Sequence, residues 1–280
     1  MANHEVPPEI EATIGSFSLM AGGANVIMQL SRLPVGHGVA KSTVDSGRVD
    51  KHPLKRFRTT TVYLGVAVLG TEEERRILRK EIDRVHAQVR SKPSDPVQYN
   101  AFDKKLQLWV AACLYKGTED VYEKLFGHSI PDQRVDEVYE FAKRLGTTLQ
   151  VPDELWPRDR AAFEDYWQAG LEQVQMDDLT RTYLQGIADA THLVEPLGPL
   201  GSPLRPLLRN GRLITLGYLP ERIRDELGLP WSPSHEERFD ALVGRAAAVN
   251  RRLPGPIRRF PVNAYMLDTR RRIKRGIPII

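Results

Sequence analysis

Apolar residues recur along this chain mainly at steps of three and four, the spacing of one face of an α-helix, whereas strand-like alternation is scarce. A segment rich in proline and glycine at residues 198–208 predicts a long connection, but no change of composition across it requires two domains. We therefore expect an all-α fold with one helical domain over residues 1–280, an N-terminal arm at residues 1–14 and a basic tail at residues 267–280. The predicted helices cover residues 15–33, 60–69, 71–89, 103–114, 131–145, 158–175, 220–227 and 234–252.

Two neighbouring segments in this pattern differ in character. Residues 60–69 are apolar on all sides, which predicts a buried helix that ends at Gly70, although their β-branched side chains leave a strand as the alternative. Thr71 followed by Glu74 is the signature of a capping box, which predicts that a second helix begins there. The apolar face of this second helix carries Leu78, Ile82, Val85 and Val89.

A single histidine lies on that apolar face. His86 follows Val85 and comes one turn after Ile82, and no second histidine lies three or four residues away to complete a two-histidine metal site. One interpretation is a core histidine that hydrogen-bonds to a backbone carbonyl. The other is an axial haem ligand, because a porphyrin supplies the four remaining nitrogens and requires apolar surroundings.

Basic and hydroxyl side chains precede the buried run. Arg56 and Thr60 are four residues apart and would share one helix face, where the arginine could pair with a haem propionate or donate to dioxygen. The alternative is that Lys55, Arg56 and Arg58 form the solvated start of a helix. Cys113 could supply a thiolate ligand, but its apolar neighbours favour core packing.

Composition and motifs exclude several classes of protein. Forty basic residues are nearly balanced by 36 acidic ones, for a net charge of +4, which argues against a dedicated nucleic-acid binder. The single cysteine excludes an internal disulfide framework and a CxxC metal site. Neither a signal-peptide pattern nor an apolar run of the ~18–20 residues needed to span a bilayer occurs, so we expect a cytoplasmic protein. No GxSxG, GxGxxG, Walker or HExxH pattern is present.

The basic tail combines five basic residues with a closing apolar tetrapeptide. Its ordinary interpretation is a solvated tail. The alternative is weak attachment to an anionic membrane surface or to a partner protein.

Several longer motifs occur in a fixed order along the chain. They are LPVGHGVAKS, HPLKRFRTT, RVHAQV, AFDKKLQLWVAACLY, LGYLPERIRDELGLPWSPSHEERFDAL and RRLPGPIRRFPVNAY. In this order and spacing the chain resembles, from about residue 15 to 265, the catalytic-domain family of rubber oxygenase (latex-clearing protein) and of the MpaB-like oxygenase of the mycophenolate pathway.

The resemblance implies an all-helical fold with a globin-like helix core around a b-type haem. By resemblance, His86 corresponds to the proximal ligand of the haem iron, and Arg56 and Thr60 correspond to distal residues that line the oxygen pocket beside Thr59. The implied activity is that of an oxygenase that uses haem b and dioxygen to cleave an electron-rich carbon–carbon double bond.

Two positions depart from the family pattern. Thr59 stands where rubber oxygenase has a lysine that can cap the iron, and Ala111 stands where many relatives have a histidine. These departures support an alternative, a haem- or lipid-binding helical protein without oxygenase turnover. A haem monooxygenase or peroxygenase is a third interpretation. Because an intracellular enzyme cannot reach extracellular polyisoprene, we expect a small hydrophobic, isoprenoid- or alkene-like metabolite as the substrate. The sequence does not determine the oligomeric state.

Overall fold

A computed structural model describes residues 5–42, 44, 49–191 and 205–280, without the side chains of residues 205–207. Within these ranges the regular structure is helical, apart from one isolated antiparallel β-bridge between Arg90 and Asn100. The predicted all-α fold with a single helical domain is therefore confirmed. Among the described helices, none is both long enough and apolar enough to span a membrane.

The first half of the chain contains helices α1 to α6, with a short 3-10 turn at Ser18–Ala21 before α2. Their bounds are Pro8–Ala12 for α1, Gly22–Leu30 for α2, Leu33–Ala40 for α3, Pro53–Leu69 for α4, Glu72–His86 for α5 and Lys104–Phe126 for α6.

The second half contains helices α7 to α15, with another 3-10 turn at Asp153–Leu155. Their bounds are Asp132–Ala142 for α7, Arg144–Thr147 for α8, Arg160–Glu172 for α9, Asp178–Ala188 for α10, Arg205–Gly217 for α11, Glu221–Leu227 for α12, Pro233–Arg252 for α13, Gly255–Arg258 for α14 and Val262–Lys274 for α15.

The helix predicted over residues 15–33 is divided in the structure. Helix α2 ends at Leu30, and Pro34 lies in the first turn of α3 instead of ending a helix. A proline is tolerated there because the first amides of a helix have no intrahelical acceptor. Most of the predicted connection at 198–208 lies outside the described residues, and residues 205–208 begin α11.

Helices α4 and α5 form a hairpin that contains both segments singled out by the sequence pattern. The strand alternative for residues 60–69 is wrong, since α4 runs from Pro53 to Leu69. The predicted capping box is confirmed: the Glu74 amide donates to the Thr71 hydroxyl at 3.2 Å, and the Thr71 amide donates to the Glu74 carboxylate at 2.9 Å. The short, capped connection holds the two helices against each other.

Two hydrophobic cores lie on either side of this hairpin. The main core surrounds α6, where Trp109 stacks on Trp167 with 5.2 Å between ring centroids. The second core, called the hairpin core below, lies between α4, α5 and α15. Helix α15 approaches α4 closely at Gly65, where a Cβ atom would lie 3.0 Å from the Met266 sulfur. The buried side chains of the hairpin core are Val62, Val66, Leu78, Ile82, Val262, Met266 and Ile279.

The structure corrects the interpretation of residues 267–280 as a solvated tail. Residues 267–274 belong to α15, which contacts α4 along its length and is joined to it by an ion pair of 3.0 Å between Arg58 and Asp268. The chain then turns back at Gly276, whose φ of +64° is the left-handed conformation that glycine adopts without strain. Ile279 is completely buried in the hairpin core. Apolar burial, which the basic residues obscured in the sequence, therefore fixes this segment.

Candidate functional site

A cavity of about 250 Å³ separates the α4–α5 hairpin from α2, α3 and α6. Its volume is close to the lower limit of ligand pockets, roughly 300 Å³. Most of its lining is aliphatic, so an occupant is removed from water. The apolar side chains of the wall include Leu30, Val35, Val39, Leu78, Ile82, Val85, Val89, Leu106, Val110, Leu114 and Leu149.

One face of α4 supplies several of the polar side chains in the wall, to which Gln29, Ser42, Tyr99, Asn100 and Gln107 also contribute. Arg56, Thr59, Thr60 and Tyr63 all line the cavity. Their steps of three and four residues are the spacing of one helix face, so the regular geometry of α4 is sufficient to bring them together.

Helix α5 brings His86 to the same cavity. His86 is the last residue of α5, whereas the sequence pattern placed it inside a helix that continued to Val89. Arg56 lies 14 residues before Gly70, and His86 lies 15 residues after Thr71. At a rise of ~1.5 Å per residue, both lie roughly 22 Å from the hairpin turn and thus at the same level.

The imidazole of His86 is partly buried and held between neighbouring side chains. Its ring meets Phe102 edge to face, with 6.2 Å between centroids. Its Nδ1 atom is buried and has no hydrogen-bond partner among the described residues. A buried ring nitrogen that makes no hydrogen bond is costly unless a ligand satisfies it.

The charge state of His86 follows from its surroundings. Burial lowers the pKa of the imidazole, and the positive charge of Arg56 acts in the same direction. Gln150 and Asp83 act in the opposite direction but do not outweigh burial. The ring is therefore neutral at pH 7, and one nitrogen keeps the lone pair that binding a metal requires.

Arg56 is not the solvated residue of the alternative interpretation. It is half-buried, its Nε atom is inaccessible to solvent and without a partner among the described residues, and burial lowers the pKa of the guanidinium. Lys55 is exposed, and Arg58 pairs with Asp268, so of these three basic residues only Arg56 lines the cavity.

The two threonines are used differently. The Thr59 hydroxyl donates to the backbone carbonyl of Arg56 at 3.0 Å, so helix α4 already occupies its proton. Thr60 is partly exposed to the cavity, and within the described ranges its hydroxyl makes no hydrogen bond. Thr60 therefore has a hydroxyl that can donate into the cavity. The roles of Arg56, Thr59, Thr60 and His86 toward a cofactor stay predictions.

A chain of carboxamides beside His86 had no sequence signal. Gln107 on α6, which is 4% exposed, donates to Gln150 at 2.5 Å and to the Ala101 carbonyl at 2.7 Å. Gln150 in turn donates to Asp83, one turn before His86. Gln150 has a φ of +72°, a left-handed conformation that is strained for a residue with a Cβ atom. This carboxamide chain links α5 to α6 at the level of the imidazole.

The remaining candidate residues lie away from the cavity. Cys113 is completely buried in the main core and is not part of the cavity wall, and burial raises the pKa of its thiol, which opposes a thiolate ligand. Ala111 packs toward Gly146 of α8 and is not part of the cavity wall.

His37 lies in the last turn of α3 and is 2% exposed. Its Nε2 atom lies 2.6 Å from the Asp177 carboxylate, at the start of α10. It lies outside the cavity wall and joins two helices.

The arrangement brings a neutral imidazole, a cation without an ion pair among the described residues and the Thr60 hydroxyl to one mostly apolar volume. Within the described ranges, no group of three or more His, Cys, Asp or Glu side chains could hold a metal ion. A metal at His86 would therefore need its other ligands from a macrocycle, as iron has in haem.

Comparisons with known proteins agree with the resemblance found in the sequence. The family model described as "ER-bound oxygenase mpaB/B'/Rubber oxygenase, catalytic domain" matches residues 13–248. Two relatives, the uncharacterized protein Mb2261 of Mycobacterium bovis and the uncharacterized protein Rv2237 of Mycobacterium tuberculosis, are each 44% identical over 262 residues, or 94% of this chain and 100% of theirs. No solved structure matches the chain.

Proposed function

The chain belongs to the mpaB/rubber oxygenase catalytic-domain family, and we propose that it is a haem b-dependent oxygenase that cleaves a carbon–carbon double bond in a small hydrophobic metabolite. Membership of the family supports an oxygenase, and thus an oxidoreductase. The haem, the type of substrate and the cleavage reaction are our proposal.

The observation that carries the proposal is the state of His86. Its imidazole is neutral, its Nδ1 atom is buried without a partner among the described residues, and the surrounding wall is aliphatic. These properties fit a residue that would hold haem iron, since the unsatisfied nitrogen would gain a partner and the macrocycle would lie against an apolar wall. Haem bound there would supply the activation of dioxygen.

The residues of α4 would serve the reaction by holding charge and protons. Arg56 carries a positive charge without a described counter-ion, so it favours negative charge that develops in the cavity or on a haem carboxylate. The Thr60 hydroxyl can donate a hydrogen bond beside it. Both effects are stronger in an apolar cavity, where water does not screen them.

The wall also limits what can enter. At about 250 Å³ the cavity accepts a small apolar molecule as it stands, whereas a haem requires wall side chains to move outward. Because aliphatic side chains form most of the wall, an alkene- or isoprenoid-like metabolite is the type of substrate that it favours. Dioxygen is small and apolar enough to share this volume.

The experiment that tests the proposal is the optical spectrum of the full chain expressed with an ample supply of haem precursor. We expect a Soret band in the native protein and its loss in His86→Ala. His128→Ala is the matched control, because His128 is exposed and lies outside the cavity wall. A colourless native protein would overturn the haem assignment.

Oxygen consumption separates the remaining alternatives. A cleaving oxygenase consumes dioxygen with an alkene but not with the matching alkane, and mass spectrometry with labelled dioxygen finds both atoms in the carbonyl products. Incorporation of one atom, or a requirement for peroxide, would indicate a monooxygenase or peroxygenase. A Soret band without oxygen consumption with any alkene would indicate a binding protein, the alternative that Thr59 still supports.

A further inference from the structure

The last residues of the chain form one end of the cavity. After α15, residues 277–280, called the strap below, run back across α5, and Ile280 lines the cavity together with Tyr63, Leu78 and Leu149. Ile280 lies beyond residue 248, where the family match ends. This part of the wall is therefore outside the matched catalytic domain.

The strap is held by a set of hydrogen bonds to α5. The Ile279 amide donates to both carboxylate oxygens of Glu81 at 2.9 Å, and the Ile280 amide donates to one of them at 3.0 Å. Arg272 of α15 donates to the Pro278 carbonyl at 3.0 Å. Ile279 is completely buried in the hairpin core. The anchored backbone thus fixes where the Ile280 side chain lies.

The cavity has a polar end and an apolar end along the hairpin. Arg56 and Thr60 define the polar end, and Tyr63 lies seven residues from Arg56, roughly 10 Å farther along α4. On α5, Leu78 lies eight residues before His86, roughly 12 Å away. Tyr63, whose hydroxyl donates to the Leu145 carbonyl, and Ile280 line the apolar end.

We propose that Ile280 is a specificity-determining residue: anchored through Glu81, the strap forms the end wall of the cavity and sets the length of the apolar chain that the site accepts. The inference rests on the proposed function only in taking this cavity to be the substrate site. A molecule with its polar group at Arg56 and Thr60 extends its apolar part toward Ile280, and the strap decides where that part must stop.

The test measures binding of linear 1-alkanols of increasing length to the full chain by isothermal titration calorimetry. In the native protein the affinity should rise about four-fold per added methylene until the alkyl chain meets Ile280, and then level off. In Ile280→Ala the levelling should occur at a chain about three carbon atoms longer, because the substitution removes three carbon atoms. Ile280→Phe should shift it to shorter chains.

Two further variants distinguish an effect of the end wall from a general loosening of the strap. Ile277→Ala is the matched control, since Ile277 is on the same strap but is 43% exposed and lies outside the cavity wall. In this variant the alkanol affinity should level off at the same alkyl-chain length as in the native protein. Glu81→Gln weakens the anchor of the strap and should extend the accepted length without changing a residue of the wall.

Identical length limits in the native protein, Ile280→Ala and Ile280→Phe would overturn the inference, as would the absence of saturable alkanol binding. The length limit is measured by calorimetry and the haem by its Soret band, so the two results can fail separately. A shifted limit in a protein without a Soret band supports the end wall and contradicts the proposed oxygenase, whereas a Soret band with an unshifted limit contradicts the end wall and supports the haem assignment.

Discussion

Gln150 stores backbone strain next to His86. Its φ of +72° costs on the order of 1 kcal/mol for a residue with a Cβ atom. Its side chain meanwhile accepts from Gln107 and donates to Asp83, and it lies close enough to the imidazole to oppose the effect of burial on the pKa of His86. Such strain persists only where neighbouring interactions hold the residue, and here these interactions are the carboxamide chain.

Two substitutions separate the strain from the hydrogen bonds. Gln150→Ala removes the carboxamide and keeps the strain, whereas Gln150→Gly removes both, so we expect Gln150→Gly to be the more stable variant by about 1 kcal/mol. Urea unfolding of the two variants measures this difference. Both variants should have a lower free energy of unfolding than the native protein. A Gln150→Gly variant no more stable than the Gln150→Ala variant would contradict the strained conformation.

A hydrogen bond between a buried histidine and a partly exposed carboxylate joins α3 to α10. His37 of α3 lies 2.6 Å from Asp177, the residue that precedes α10 and accepts from the Thr180 amide at 2.9 Å. Burial alone would raise the pKa of the Asp177 carboxyl, but the hydrogen bonds from Thr180 and His37 outweigh it and lower the pKa to about 2.

The lowered pKa makes this connection sensitive to acid. Because the folded pKa lies below the ordinary value of 3.8, Asp177 stabilises the fold above pH ~4, and this contribution is lost as the pH falls toward 2. We expect Asp177→Asn to be less stable at pH 7 and to lose less of its unfolding free energy over that acid range, as measured by denaturant unfolding at several pH values. The carboxylate is 41% exposed, so solvent keeps the effect modest.

Asp178→Asn provides the control for Asp177, because Asp178 follows it in the sequence and its side chain is fully exposed. Its unfolding free energy should change with pH as that of the native protein does. An Asp177→Asn variant with the native pH dependence would show that His37 and Thr180 do not depend on this carboxylate.

The elements that the sequence predicted best are those with local signals. The capping box at Thr71 and the Arg56 to Thr60 spacing each depend on residues within one or two turns, so periodicity and capping rules were sufficient. The break between α2 and α3 was not predicted, because proline interrupts a helix at most positions but is tolerated in the first turn, where Pro34 lies.

Long-range contacts account for what the sequence could not predict. Gln107 and Gln150 are 43 residues apart, and Ile280 reaches Glu81 across 199 residues, so no local pattern relates them. The burial of Ile279 was hidden because five basic residues precede it and favour a solvated tail. The family resemblance named Arg56, Thr60 and His86, which the fold brings to one cavity, whereas the side chains that hold and close that cavity could be found only from the fold.

At the scale of the whole molecule, the cavity lies between two cores of unequal size. Helices α2, α3 and α6 contribute the main-core side of its wall, and the α4–α5 hairpin contributes the other. The hairpin core has far fewer buried side chains among the described residues than the main core, so its helices open at a lower free energy. An occupant that contacts both sides stabilises the closed arrangement.

Hydrogen exchange of the backbone amides can measure this coupling. In the haem-free protein we expect amides of α5 and α15 to exchange faster than those of α6. Haem at 100 times its dissociation constant should slow the exchange of α5 about a hundred-fold, because a ligand that binds only the closed form adds ~2.7 kcal/mol to the free energy of opening. In His86→Ala the same amount of haem should leave the exchange unchanged. If haem slows α6 but not α5 in the native protein, the occupant does not contact the hairpin, and the cavity is not where it binds.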